Sequence, residues 1–346
     1  MYKLITKVLL AVTILMVIII SWLWWDVNDY LDTPIMLTED KVYVLKHGSN
    51  FIRAVNELHE ISVITNTRYV RWYGRLSGLT RKIKAGEYQI QPGMTPREIV
   101  LMFNKGKVRQ YAITIVEGWT FKQLLEVIHN DPVLVHNLKG KTSQQIMETI
   151  GQSGIHPEGQ FLPDTYFFPK GLDDIAFLKR ANKKLQDYLQ QQWDIRAQDL
   201  PYKNSYEALI MASIIEKETG KASERQAISG VFVRRLKKNM RLQTDPTVIY
   251  GMGDRYKGNI RKNDLLRDTP YNTYRRGGLP PTPIALPGKD AISASLHPDE
   301  TNNIYFVARG DGSHHFSATL KEHNEAVIKY QLKGRKRSFS SFKNNE

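Results

Sequence analysis

Val8 to Trp25 contains no charged residue, and no other stretch narrows the possible architectures as much. At 1.5 Å per residue a helix over this run covers about 27 Å, close to one hydrocarbon core. Lys3 and Lys7 precede the run, and Asp26, Asp29 and Asp32 follow it. Basic flanks stay on the cytoplasmic side, which leaves residues 1–7 inside and the remaining chain outside. Trp22, Trp24 and Trp25 lie where an interfacial aromatic belt belongs. A cleaved leader is the alternative, but such leaders are shorter and end in small residues. This run ends in Trp-Trp-Asp. The expectation is a single membrane helix over 8–25.

The body beyond it has the composition of a folded protein, with 41% hydrophobic and 24% charged residues over the 346-residue chain. That length allows two or three domains. There is no cysteine, which excludes a disulfide framework, a thiolate metal site and a cysteine nucleophile. A net charge of +14 favours anionic partners. With the body outside the membrane, these are an acidic wall polymer or anionic lipid, and not nucleic acid.

Residues 26–40 read as a polar, aperiodic tether. Residues 41–116 read as a small α+β module. Lys41–Leu45 alternates like a strand, Ser49 is the N-cap candidate for a helical pattern over 50–59, and 85–90 reads as a second strand. Thr95-Pro-Arg-Glu98 is a capping box with proline at the first helical position, and Gly106 ends that helix. A strand over 111–116 closes the module, which holds no acid–base cluster. A larger α+β unit spans 117–332. It contains a second capping box at Thr120–Gln123, helical patterns over 137–150 and 172–193, and strands at 304–308 and 314–316. A final helix over 319–332 completes it. Residues 333–346 are basic and serine-rich, the composition of a flexible tail.

Within the larger unit, Tyr206 to Thr219 has helical periodicity. Advancing about 100° per residue, the apolar side chains centre on Met211 and Ile215. Glu218 falls inside that face, between Ile214 and Met211, whereas Glu216 falls nearly opposite and is expected in solvent. A carboxyl group against apolar side chains has a raised pKa, which suits a general acid near neutral pH. Equally, a glutamate in a last helical turn can pair with a basic neighbour, and Lys217, Lys221 and Arg225 are close in sequence.

Three loops gather polar residues among prolines and aromatics. They hold Glu158, Asp164, Thr165 and Tyr166; Gln243, Thr244 and Asp245; and Asn272, Thr273 and Tyr274. Carbohydrate sites need such hydrogen-bonding groups beside aromatic platforms, yet the same residues also serve as turn formers. Other motifs fail. The position five before Gly140-Lys-Thr142 is Val135, where a phosphate-binding loop needs glycine. Val63 stands where a zinc-protease helix needs its second histidine, and no Gly-x-Ser-x-Gly elbow exists. His314, His315 and His323 lack chelating spacing, so no metal is expected.

Four long motifs in register carry a resemblance. They are Glu158-Gly-Gln-Phe-Leu-Pro-Asp-Thr-Tyr166, Ala212-Ser-Ile-Ile-Glu-Lys-Glu-Thr219, Leu242-Gln-Thr-Asp-Pro-Thr-Val-Ile-Tyr-Gly251, and Tyr271-Asn-Thr-Tyr274 with its Gly-Leu-Pro-Pro continuation. From the anchor to about Leu332 the chain resembles the YceG-like (MltG) family of endolytic lytic transglycosylases. The resemblance implies a single-pass protein of the bacterial inner membrane with a LysM-like module and a periplasmic catalytic domain. It implies cleavage within nascent peptidoglycan strands without a cofactor, penicillin-binding synthases as partners, and Glu218 as the catalytic acid. Arg275-Arg276 departs from the family pattern. A hydrolytic muramidase pairing Glu218 with Asp164 or Asp245 stays open, as does a non-catalytic wall-binding scaffold.

Overall fold

A computed structural model describes residues 2–332 and Arg335. The tail expected over 333–346 otherwise lies outside the described residues. The chain forms two compact units. One comprises the chain up to Tyr111 together with Phe167–Gly171, and the other Ala112–Tyr166 with the chain from Leu172 onward. The boundary thus falls inside a strand, five residues before the sequence placed it, and a short later segment rejoins the first unit.

In the first unit, helix α1 spans Tyr2–Asp32, and its apolar stretch is uncovered by the rest of the protein. It is long and apolar enough to cross a membrane. The tether expectation for 26–40 is corrected. Charges at Asp26, Asp29 and Asp32 masked an apolar stripe of Val27, Tyr30 and Leu31, which packs into the core of this unit. Leu31 is 1% exposed. Burying a leucine is worth about 1.5–3 kcal/mol, so the helix continues and does not fray at the last tryptophan. Ile35 and Leu37 also join that core, and Ile35 N–H donates to Met94 O at 2.8 Å.

Strand β1 (Lys41–Leu45) pairs antiparallel with β2 (Gly86–Ile90), Tyr43 opposite Tyr88. Between them lie α2 (Phe51–Glu60) and α3 (Thr67–Leu76), the latter unforeseen because its arginines interrupt the apolar pattern. Asn50, not Ser49, caps α2 by accepting from Arg53 N–H. Helix α4 (Pro96–Lys105) has the expected Thr95 capping box and ends at Gly106 in the left-handed conformation. In the core of this unit Tyr43 stacks on Phe103, and Tyr88 meets the same ring at a tilt.

Strand β3 (Gln110–Thr114) pairs with β4 (Thr165–Pro169), with α5 (Phe121–Asn130) and α6 (Ser143–Thr149) between them in sequence. Helix α6 is shorter than the periodicity over 137–150 suggested. The Asn137 and Leu138 N–H groups are taken by the buried Asp174 carboxylate, so the chain turns there. Helices α7 (Asp174–Asp194), α8 (Ser205–Glu218), α9 (Arg225–Lys237), α10 (Asp245–Met252), α11 (Lys262–Leu266) and α12 (Lys289–Leu296) follow. Helix α8 is central: Ala208 to Ile215 are all buried, packed against residues of α7, α9 and α12. The hairpin β5 (Tyr305–Ala308) and β6 (His314–Ser317) precedes α13 (Leu320–Tyr330).

Candidate active site

Helix α8 starts where Asn204 accepts from Glu207 N–H at 3.0 Å, and it carries Glu218 as its last residue. The buried run from Ala208 to Ile215 fixes the axis and phase of that last turn. Ser213 adds a lateral tie by accepting from Ile284 N–H at 2.9 Å, which pins the proline-rich loop against α8.

Glu218 keeps a partly exposed surface, but protein surrounds its carboxyl group, and burial pushes its pKa up from 4.5 to about 7. Three groups modulate that rise. The Thr244 hydroxyl donates to Oε2 at 2.9 Å and favours the carboxylate. The negative charge of Asp245 opposes ionisation, and the buried guanidinium of Arg235 favours it. Arg235 is itself held by the Ile304 and Leu242 carbonyls at 2.7 and 2.8 Å.

Thr244 precedes α10, yet its hydroxyl does not cap that helix. The Thr247 hydroxyl bonds Thr244 O at 2.7 Å, and the Thr273 hydroxyl accepts from Thr244 N–H at 3.1 Å. These contacts leave the Thr244 side chain free to reach Glu218. Gln243, just before it, has φ +54°, a conformation that costs a non-glycine residue energy. The Tyr274 hydroxyl donates to Asp245 at 2.6 Å, and Asn272 ties Leu265 O and Arg267 O to the same loop. Two of the three loops read from sequence therefore converge on Glu218.

The first loop divides. Tyr166 is buried and spends its hydroxyl on Leu162 O at 2.7 Å. Thr165 pairs with Thr114 at 2.9 Å. The Lys184 ammonium holds the Asp164 carboxyl below the usual range. Each of the three thus has a supporting partner of its own. Glu158 differs. It is buried, accepts from Phe121 N–H at 2.8 Å and from Tyr250 Oη at 3.1 Å, and is pushed up to about 7 by burial. It lines a cleft of about 1090 Å³ with Phe121, His129, Met147, His156 and Tyr250. Tyr250 sits on α10, whose N-terminal neighbour Thr244 touches Glu218, so one helix supports both acids. Gly159 is obligatory here, with φ +78°, and a Cβ would lie 2.5 Å from Pro283 Cβ.

Glu216 overturns an expectation. Its side chain is only 7% exposed, and it accepts from Gly288 N–H at 3.0 Å while lying 3.6 Å from Arg225. Glu117 and Asp290 also face Arg225, at 3.6 and 3.1 Å. The wheel counted α8 apolar on one side only, whereas packing surrounds it. Arg225 is one of the three basic neighbours the sequence offered to a last-turn glutamate, and it faces Glu216. Arg235 and Tyr250 were missed, because no local pattern marks a buried cation or a distant phenol.

Fold and site together define a mixed helix-and-sheet protein with one N-terminal apolar helix and, in its larger unit, a desolvated carboxyl group whose pKa is raised to about 7. Residues 43–329 match the model of the YceG-like family. An endolytic murein transglycosylase of Bacillus subtilis is 33% identical over 305 residues, 82% of each chain. One of Streptococcus pneumoniae serotype 2 is 25% identical over 83% of this chain and 57% of its own length. A crystal structure of a YceG-like protein from Listeria monocytogenes is 32% identical, with a TM-score of 0.49 over 83% of this chain and 99% of that one. The chain belongs to the YceG-like family.

Proposed function

We propose that this protein is an endolytic murein transglycosylase that cleaves inside peptidoglycan strands, with Glu218 as its acid–base residue. The observation that carries the assignment is the Glu218 carboxyl group, desolvated to a pKa of about 7 and bonded by Thr244. Family membership supports the substrate class. Protonated Glu218 donates its proton to the oxygen bridging N-acetylmuramic acid and N-acetylglucosamine as the bond from the muramyl anomeric carbon breaks. The carboxylate so formed, held by the Thr244 hydroxyl, accepts the proton of the muramyl C6 hydroxyl. The C6 oxygen then bonds the anomeric carbon. A 1,6-anhydro end results, no water is consumed, and the acid is regenerated. Asp245, Tyr274, Gln243, Asn272 and Thr273 frame the cleavage point, and Glu158 contacts the strand in the adjoining cleft.

In this reading α1 is a single-pass inner-membrane anchor that leaves the larger unit in the periplasm. The first unit is a LysM-like glycan-binding module, and the partners are peptidoglycan synthases. A second reading rests on the charge of Asp245 acting on Glu218, since a hydrolase pairs two acids.

The test is cleavage of purified peptidoglycan by the Glu218→Gln protein. Positioned acid–base catalysis contributes about 10²–10⁴-fold, and one group serving both half-reactions places the loss toward the upper end. A folded variant retaining more than a tenth of wild-type cleavage would remove Glu218 from this role.

A further inference from the structure

Helix α3 is strapped to α1. The Tyr69 hydroxyl bonds Asp26, the Tyr30 and Tyr69 rings meet edge to face at 5.7 Å, and the Tyr30 hydroxyl accepts from Asn66 N–H at 2.8 Å. From Tyr69, beside Asp26, α3 runs back along α1 toward the uncharged stretch. Its C-terminal residues Trp72, Leu76 and Ser77 share a groove of about 370 Å³ with Ile20, Leu23 and Trp24. Trp72 is 48% and Leu76 77% exposed. Ile20 lies five residues inside the run that ends at Trp25, which is about 7.5 Å along the helix. Interfacial helices bury their apolar faces about 5–10 Å into the headgroup boundary.

The charges agree. From Ile61 to Gly86 the sequence holds Arg68, Arg71, Arg75, Arg81, Lys82 and Lys84 and no acidic residue. All but Arg71 are exposed. Basic side chains beside a membrane surface are drawn to anionic lipid, and long ones keep their heads at the interface while their stems lie against apolar groups.

We infer that the C-terminal turn of α3 is embedded in the surface of the bilayer that α1 crosses. Trp72 and Leu76 are its apolar contacts, and the flanking basic residues meet anionic phospholipid headgroups. The inference rests on reading α1 as an anchor. It gives the first unit a fixed height and tilt above the membrane, because a rigid helix pair is held at two depths.

The absence of cysteine allows single reporters in the full-length chain. Leu76→Cys and Met16→Cys proteins, both at exposed positions, carry a bimane label. They are reconstituted in equal parts phosphatidylcholine and phosphatidylglycerol, with bromine on the acyl chains either near the glycerol or near the middle. The expected result is quenching of the Met16 site by mid-chain bromine and of the Leu76 site, roughly twofold, by bromine near the glycerol. Arg68→Glu with Arg75→Glu, or phosphatidylcholine alone, should relieve the Leu76 quenching. If the Met16 site is quenched and the Leu76 site is not, the anchor reading stands and this inference fails. If neither is quenched, both fail. Blue-shifted but unquenched emission from the Leu76 site would mean that protein or glycan fills the groove, which also overturns it. Quenching that is indifferent to lipid charge would overturn the role given to the basic residues.

Discussion

Replacing Glu218 by glutamine should stabilise the protein above neutral pH and change its stability little at or below about pH 4.5. In the unfolded chain the carboxyl group ionises near 4.5, whereas in the folded protein it ionises only near 7. Between those values the unfolded state has released the proton and the folded state still binds it. Stability therefore falls as pH rises through the window and levels off above about 7. The gap corresponds to about 3 kcal/mol. Glutamine has no such gap, keeps the side-chain length, and can still accept from Thr244. Urea unfolding of both proteins at several pH values reads the effect directly. The difference in unfolding free energy should open progressively across the window and approach about 3 kcal/mol at its alkaline end. Parallel stability curves would mean that Glu218 is not desolvated, and the argument for it as an acid would fall with them.

Thr244→Val removes the hydroxyl that favours the Glu218 carboxylate. A hydrogen bond to a charged group is worth about 1.5–3 kcal/mol, so the alkaline limb of kcat/KM should move up by about one pH unit; a downward move would refute the contact. Glu216→Ala strands Gly288 N–H and deprives Arg225 of a partner. Chemical denaturation should show a loss of about 1–3 kcal/mol, with activity falling only in step with folding. Leu31→Ala empties a core position at the base of α1 and should destabilise the first unit by about 2–5 kcal/mol. Hydrogen exchange at α2 and α4 would record this, and unchanged protection there would show that α1 does not belong to that core.

Local signals survived best from sequence to structure. The capping boxes at Thr95 and Thr120, the alternation at Lys41–Leu45 and the periodicity of α8 depend on residues within a turn or two of one another. Helical phase placed Glu218 among Ile214 and Met211, and its carboxyl group is desolvated as that phase suggested; the choice of it as the acid rested on the family resemblance. The burial of Glu216 was not legible: Arg225 was one of three basic neighbours in view, but Gly288 N–H, just before α12, reaches Glu216 only in the assembled core. The residues after Trp25 misled for a related reason. Three aspartates outweighed Val27 and Leu31, whose burial needs the module they pack against. Loop composition identified polar clusters without telling a site from a scaffold. Thr244 and Tyr274 reach the neighbourhood of Glu218, whereas Tyr166, equally conspicuous in sequence, turns inward to a backbone carbonyl.

Digestion of purified peptidoglycan in heavy-oxygen water, followed by mass spectrometry of the released fragments, tests the central claim most directly. An intramolecular attack by the C6 hydroxyl, with Glu218 as the single acid and base, predicts anhydromuramyl ends that carry no heavy oxygen. Reducing ends carrying one heavy oxygen each would assign the second step to water and contradict the account.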